Sequence, residues 1–449
     1  MTPLSNVDAW PARKAPPGGR WRLGLTLLAY NIVLLAALPV LALWLAWRTI
    51  VRRKPLGSWR HKLGFVPISP DGKEPRLWLH AVSAGEMSAL KPVFELLRAA
   101  RPGAHLAIST ITPAGMAMAE RSCASANALF YLPFDWADCV ALALWRVRPH
   151  LIVVAEKELW PNLLGLARLC GIETLVVNGR VSHRAIARAE RLGPLTRWFY
   201  RLPSCFCVQS EEDAARLAEL GVAADRVVVA GNTKADTLAA RDPAAEARLR
   251  ADLGVAPNAV WVIAGSTHPG EEEIVLEAFQ RVREYLPAAR LLLAPRHLER
   301  VPEACARVAQ FGLPVVRRTE GAAADAVVVL DTMGELRSAY AMGTVGFVGG
   351  TLVPIGGHNL LEPVAAGKAV VFGPYTENCP DVADLVCGAG VGFRVASAEE
   401  MAETVLRVAA DPALQQHLAG AGQALLESQR GASQRCANVA LALLEEGER

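Results

Sequence analysis

From residue 76 onward the chain alternates short, β-rich apolar runs with helical patterns, and it does so in two successive series. That alternation marks parallel βαβ units, whose strands are covered on both faces and so read as nearly continuous apolar runs. The first series comprises 76–82, 105–110, 128–133, 150–156, 173–178, 204–209 and 226–231, with helical segments such as 86–100 and 211–220 between them. The second begins at 259–265 and continues at 289–295, 313–318, 326–331, 345–350 and 369–374. A polar, β-poor stretch, 232–258, separates them. Two doubly wound α/β domains facing a cleft are therefore expected, with ligands beyond the carboxyl ends of the strands. The stretch 397–446 reads as two helices broken near Asp411-Pro412.

Ahead of these series lies an uncharged run of 25 residues from Leu23 to Trp47, long enough at about 1.5 Å per residue to cross a hydrocarbon core of about 30 Å. Arg48, Arg52, Arg53 and Lys54, with Arg60 and Lys62, outnumber Arg13, Lys14, Arg20 and Arg22 on the other side. By the positive-inside rule the body then faces the cytoplasm. The run continues directly into basic residues rather than a small-residue cleavage site, which argues against a signal peptide. A buried or interfacial helix is the alternative reading. Nine dispersed cysteines with no CxxC spacing read as reduced thiols, consistent with a cytoplasmic body. Lys and Arg exceed Asp and Glu by only 47 to 44, so no nucleic-acid partner is expected.

Polar clusters fall where strands end or helices start. His80-Ala81-Val82-Ser83-Ala84-Gly85-Glu86 follows the first strand, and Ser83-x-x-Glu86 is also a capping box that needs no chemistry. Glu156-Lys157-Glu158-Leu159-Trp160-Pro161-Asn162 follows another strand, as a cleft edge suited to acid/base work or as a helix N-terminus decorated with acids. Gly231 to Asp236 carries Lys234, which could reach a leaving phosphate or be a solvated linker lysine. In the second series stand Gly265-Ser266-Thr267-His268, Pro295-Arg296-His297, Asp331-Thr332-Met333-Gly334-Glu335, Gly349-Gly350-Thr351 and Gly356 to Pro363. Gly-rich turns before a helix can hold a phosphate on backbone N–H groups, with Arg296 as an added cation. Neither GxxxxGK[ST] nor a GxGxxG after the first strand is present, so a P-loop ATPase and a dinucleotide site are not expected.

Taken together and in this order, with Thr112-Pro113-Ala114-Gly115 and Tyr131-Leu132-Pro133-Phe134-Asp135 between them, these clusters resemble the 3-deoxy-D-manno-octulosonic acid (Kdo) transferases of lipopolysaccharide synthesis, a GT-B family. Ala84 and Lys157 depart from the residues common in that family. The resemblance implies that Glu86 is the general base and that Glu158 and Lys234 stabilise the transition state. It assigns CMP contacts to Pro295, Arg296, Met333, Gly334, Glu335, Asn359, Leu360, Leu361 and Glu362. The implied domains are a tail and anchor helix over 1–50, an acceptor-binding Rossmann-like domain over 51–232, and a CMP-sugar-binding one over 233–449 that includes the C-terminal helices. The implied reaction is inverting transfer of Kdo from CMP-Kdo to a lipid A precursor, lipid IVA, at the bacterial inner membrane, with a single-pass anchor and the catalytic body in the cytoplasm. No cofactor and no metal ion are expected, since no carboxylate pair is evidently dedicated to Mg²⁺. A GT-B-shaped sugar-nucleotide epimerase and a non-catalytic membrane scaffold are the competing readings.

Overall fold

The computed structural model describes residues 20–47, 57–68, 75–181, 185–187, 191, 193–237, 242–256, 259–321 and 325–447. Arg13 and Lys14, and Arg48, Arg52, Arg53 and Lys54, whose balance sets the expected orientation, lie outside them. The chain divides into two compact units, Met1–Thr237 with Gln429–Arg449, and Leu238–Ser428.

The first unit carries β1 (Arg76–His80), β2 (His105–Thr110), β3 (Ala128–Tyr131), β4 (Leu151–Ala155), β5 (Glu173–Gly179), β6 (Cys205–Val208) and β7 (Val227–Val229). They form one parallel sheet in the order β3-β2-β1-β4-β5-β6-β7. Successive side chains of a strand point to opposite faces, and both faces of this sheet are packed. Leu77, Leu79, Leu151 and Val153 enter one core with Met87, Leu90 and Phe94 of the helix Ala84–Ala100. Trp78, Ile152 and Val154 enter the other, with Val140, Leu144 and Leu164.

The second unit carries β8 (Trp261–Thr267), β9 (Arg290–Pro295), β10 (Val315–Arg317), β11 (Val327–Val329), β12 (Val345–Val348), β13 (Ala369–Phe372) and β14 (Gly392–Arg394), parallel in the order β10-β11-β9-β8-β12-β13-β14. All thirteen expected strands are present; β14 is additional. In each sheet the order reverses beside the first strand, between β1 and β4 and between β8 and β12, where doubly wound folds take their ligands.

Three helices close the chain rather than two: Ala398–Ala410, Pro412–Gln429 and Ala432–Gly447. The expected break at Asp411-Pro412 is there; the second falls at Gly431, whose φ of 75° ends the helix before it. The last helix does not stay with the second domain as expected over 233–449. It packs on the first unit, with Cys436, Ala437, Ala440, Leu443 and Leu444 in the core beneath that sheet. Asp236 secures its start by accepting the Gly431 and Ser433 N–H groups at 2.9 and 2.7 Å.

The apolar run forms the helix Arg20–Ala46, of which Arg20–Pro39 is long and apolar enough to cross a membrane. Its faces differ. Leu23 and Leu27 are buried, and Leu27 lies where a side chain on Gly165 of the helix Pro161–Leu169 would stand. Tyr30 donates to Asp135 at 3.2 Å, and Asn31 exchanges side-chain hydrogen bonds with Asn162 at 2.7 and 3.1 Å. On the opposite side Trp21, Leu25, Leu28, Ile32, Val33 and Leu35 are exposed. The segment thus combines a docked stripe with an uncovered apolar face.

Candidate active site

In the first unit the loop after β1 and the start of the helix Ala84–Ala100 are set by two local hydrogen bonds. Ser83 Oγ accepts the Glu86 N–H at 3.4 Å, and Glu86 Oε2 accepts the Val82 N–H at 2.6 Å. The Ser83 half of the capping reading is therefore present, but Glu86 reaches the Val82 N–H rather than that of the cap residue itself, and capping does not exhaust it. Its Oε1 has no hydrogen-bond partner among the described residues. Burial raises its pKa above the ordinary carboxylate value, with Glu156 adding to the rise and Val82 N–H and Lys234 opposing it. A half-buried carboxylate with one oxygen pinned and the other free is a suitable proton acceptor.

At the carboxyl end of β4, Glu156 sits in the left-handed region at φ 57°, and Asn178, near the end of β5, does so at φ 53°. Such backbone is uncommon for non-glycine residues and gathers at functional sites. Asn178 Oδ1 accepts the Thr233 N–H at 3.0 Å, and Asn232 Oδ1 accepts the Lys234 N–H at 3.0 Å. Lys234 is thereby held in the sheet-end network rather than on a solvated linker. Its Nζ lies 2.8 Å from Glu156 Oε1, with both side chains mostly buried. Glu156, which carried no assigned role, is thus the direct partner of Lys234. Burial pushes Glu158 up to about 7, reinforced by the charge of Glu86. The structure brings Glu86, Glu156, Glu158 and Lys234 into one electrostatic cluster at the switch point of this sheet.

In the second unit two cavities share Ser266, Arg296 and Glu362. The larger, about 450 Å³, is walled by Pro295, Leu298, Leu330, Met333, Gly334 and Arg337 among others. That volume lies in the range of small-molecule sites. The smaller, about 130 Å³, is lined by His358, Asn359 and Tyr340 as well as the shared residues. Arg296 is exposed, and its guanidinium makes no ion pair or hydrogen bond among the described residues. Pro295, Arg296, Met333, Gly334, Asn359 and Glu362 therefore stand on these walls. Glu335 does not: its carboxylate is engaged by Thr332 and by Arg318, the latter at 3.2 Å. Leu360 and Leu361 are fully buried, and the Leu361 N–H donates to Asn359 Oδ1 at 3.1 Å.

The Gly349-Gly350-Thr351 turn differs from the phosphate cradle that its glycines suggest. Glu271, wholly buried at the start of the helix Glu271–Tyr285, accepts the N–H groups of Gly350, Thr351 and Leu352 at 2.7, 2.9 and 2.9 Å, and that of His268 at 2.9 Å. The chain supplies its own anion there. Arg337 and the carboxylate role of Glu271 are not singled out by the sequence: Glu271 is one of three acids in a helical first turn, where acids are ordinary.

A family model described as 3-Deoxy-D-manno-octulosonic-acid transferase (kdotransferase) matches residues 57–237. The 3-deoxy-D-manno-octulosonic acid transferase of Bordetella pertussis is 31% identical over 426 residues, covering 90% of this chain and 96% of that protein. A bifunctional glycosyltransferase/methyltransferase of Fusobacterium nucleatum is 32% identical over 344 residues, 74% of this chain, and the chain spans only 52% of that longer protein. Among solved structures, a glycosyltransferase from Rickettsia africae aligns with a TM-score of 0.53 at 10% identity, covering 84% of this chain and 100% of that one. The last likeness bears on fold alone and agrees with two Rossmann-like units of GT-B type.

Proposed function

The chain belongs to the 3-deoxy-D-manno-octulosonic acid transferase family, and from that premise we propose that it moves Kdo from CMP-Kdo onto lipid IVA with inversion at the anomeric carbon, Glu86 acting as general base. The observation that carries this reading is the state of Glu86: a carboxylate at the switch point of the first sheet, one oxygen held by Val82 N–H, the other free, and its pKa raised by burial. In the reaction so read, an acceptor hydroxyl oxygen attacks the anomeric carbon and its proton passes to Glu86. The bond from that carbon to the phosphate oxygen breaks, and CMP leaves with the electron pair.

The first unit takes the acceptor and the second the nucleotide in this reading. Arg296, unpaired on the wall of the larger cavity, is the natural cation for the departing phosphate. Glu335, Leu360 and Leu361 would then support the nucleotide walls rather than touch them through side chains, while Pro295, Met333, Gly334, Asn359 and Glu362 line them directly. Lys234 and Glu158 stabilise the transition state, Lys234 with a charge that Glu156 holds in place until it is needed. The uncovered face of the N-terminal helix supports attachment to the inner membrane, which keeps the body near an amphiphilic acceptor.

Purified protein given CMP-Kdo and lipid IVA tests the reading. Mass spectrometry should show lipid IVA gaining the mass of one Kdo residue, Kdo less water, with release of CMP, and NMR of the product should show the anomeric configuration opposite to that of the donor. Turnover of a UDP-sugar to its epimer, with no transfer from CMP-Kdo, would replace this reading by the isomerase one.

A further inference from the structure

Two histidines of the second unit face each other in a way that the transfer reading leaves unused. His268, just after β8, and His358, in the Gly-rich loop after β12, meet edge to edge in nearly one plane, with ring centroids 5.1 Å apart and an interplanar angle of 10°. Their Nε2 atoms are 2.8 Å apart. At that distance one nitrogen carries the proton and the other the lone pair, so the two neutral rings share a single N–H between them. Glu271 builds this contact. It accepts the backbone N–H of His268 on one side and those of Gly350, Thr351 and Leu352 on the other, binding both loops to one buried carboxylate. The Gly357 N–H closes the second loop on Gly350 O at 2.7 Å, next to His358.

The surroundings oppose a second proton on the pair. Arg296, His297 and Arg300 lie on the cationic side, with His297 edge-on to His268 at 6.1 Å between centroids. Against them stand Glu272, which holds Arg300 at 2.9 and 3.1 Å, and Glu271, whose four N–H donors absorb its charge. Glu362 and Tyr340 line the same small cavity as His358. Burial, reinforced by Arg296, holds His358 down to about 4, and burial followed by His297 lowers His268 as well. The resting pair is neutral near pH 7 and has no Nε2–H free for a ligand. An oxyanion at this end of the cavity would cancel the charge of Arg296 and make a second proton favourable. Both Nε2 atoms would then donate to it.

We propose that His268 and His358 form a proton-coupled receptor for an oxyanion of the sugar nucleotide, converting from a shared N–H···N contact to two N–H donors as the ligand binds. This rests on the CMP-Kdo reading, because the ligand must reach the small cavity from the larger one. The oxyanion is the phosphate or the sugar carboxylate, and two ligands separate them.

Calorimetry on the full chain in detergent at pH 7, repeated in buffers of different ionisation enthalpy, counts the protons taken up. CMP and CMP-Kdo are titrated into wild type, His268→Gln and His358→Gln, with the heat of protonating the free ligand measured alone and subtracted. The expected result is uptake approaching one proton per ligand in the wild type and none in either variant. Affinity should fall toward tenfold per pH unit between pH 6 and 8 in the wild type only, the limit for one coupled proton. Uptake with both ligands assigns the phosphate; uptake with CMP-Kdo alone assigns the carboxylate. Binding of either ligand with no proton uptake in the wild type, or with uptake that survives both substitutions, would overturn the proposal. Failure to bind CMP and CMP-Kdo at all would instead overturn the transferase reading beneath it. Should one variant fail to fold, as judged by its melting curve, the other carries the comparison, and the wild-type proton count alone still decides against the proposal if it is zero.

Discussion

Replacing Asn31 by Leu makes the N-terminal helix more lipid-like and should nevertheless destabilise the protein. The wild-type side chain donates to Asn162 Oδ1 at 2.7 Å, accepts from Asn162 Nδ2 at 3.1 Å and accepts the Ala137 N–H at 3.2 Å. Asn162 is 0% exposed, so it cannot recover these bonds from water, although its Nδ2 keeps the Asp135 carbonyl at 2.6 Å. Each net hydrogen bond is worth about 1 kcal/mol and an orphaned buried polar group costs about 1–3 kcal/mol. With the Ala137 N–H also released, the loss comes to about 2–4 kcal/mol, or roughly 5–15 °C in the melting temperature of a unit this size. Thermal unfolding in detergent, followed by circular dichroism, reads it directly. Ile32→Asn is the control: at 59% exposed it lies on the opposite face, and it should shift melting by about 2 °C or less. If Asn31→Leu melted with the wild type, or if Ile32→Asn cost as much, the docked stripe would be wrong and the segment would be a free span.

Arg296→Ala should weaken CMP binding by roughly 10- to 100-fold, the loss of one charge-assisted contact, with acceptor binding unchanged; calorimetry with CMP checks it. Glu158→Gln should lower transfer activity yet raise the melting temperature at pH 8. Burial lifts Glu158 from 4.5 to about 7, so between those values the folded protein keeps a proton that the unfolded chain has lost, and stability falls as pH rises through that window. The amide escapes that loss. The variant should gain about 1–3 kcal/mol over wild type at pH 8 and almost nothing at pH 4, as measured by melting at both values.

The strands were legible because a buried parallel strand must be apolar on both faces, and β1 through β13 each satisfy that in a handful of residues. β14 escaped because Gly392–Arg394 is a three-residue edge strand with one apolar side chain. The N-terminal stripe was written in the spacing of Leu23, Leu27, Tyr30 and Asn31, but uniform hydropathy masked it; an Asn inside an otherwise uncharged run was the available signal, since lipid has no partner for it. Long-range packing was not legible. Nothing local to Ala432–Gly447 states that its apolar face belongs under a sheet whose last strand ends some two hundred residues earlier. At the candidate site the order of the polar clusters at strand ends was readable, whereas their pairings were not. Glu156 rather than Glu158 holds Lys234, because the left-handed turn at Glu156 sets its carboxylate there. Glu271 occupies the Gly-rich turn because a buried nest of amides accepts any carboxylate the fold presents, from the chain or from a ligand.

The assignment of Glu86 as the base is tested most directly by Glu86→Gln, assayed for Kdo transfer to lipid IVA beside the wild type under single-turnover conditions, with CMP affinity measured on the same preparation. The amide retains the size of the side chain and an oxygen for the Val82 N–H but cannot take the acceptor's proton. Transfer should fall by about 10²-fold or more with CMP affinity and melting temperature little changed. A variant that keeps more than about a tenth of the wild-type rate, a smaller loss than general-base catalysis contributes, would contradict the role given to Glu86.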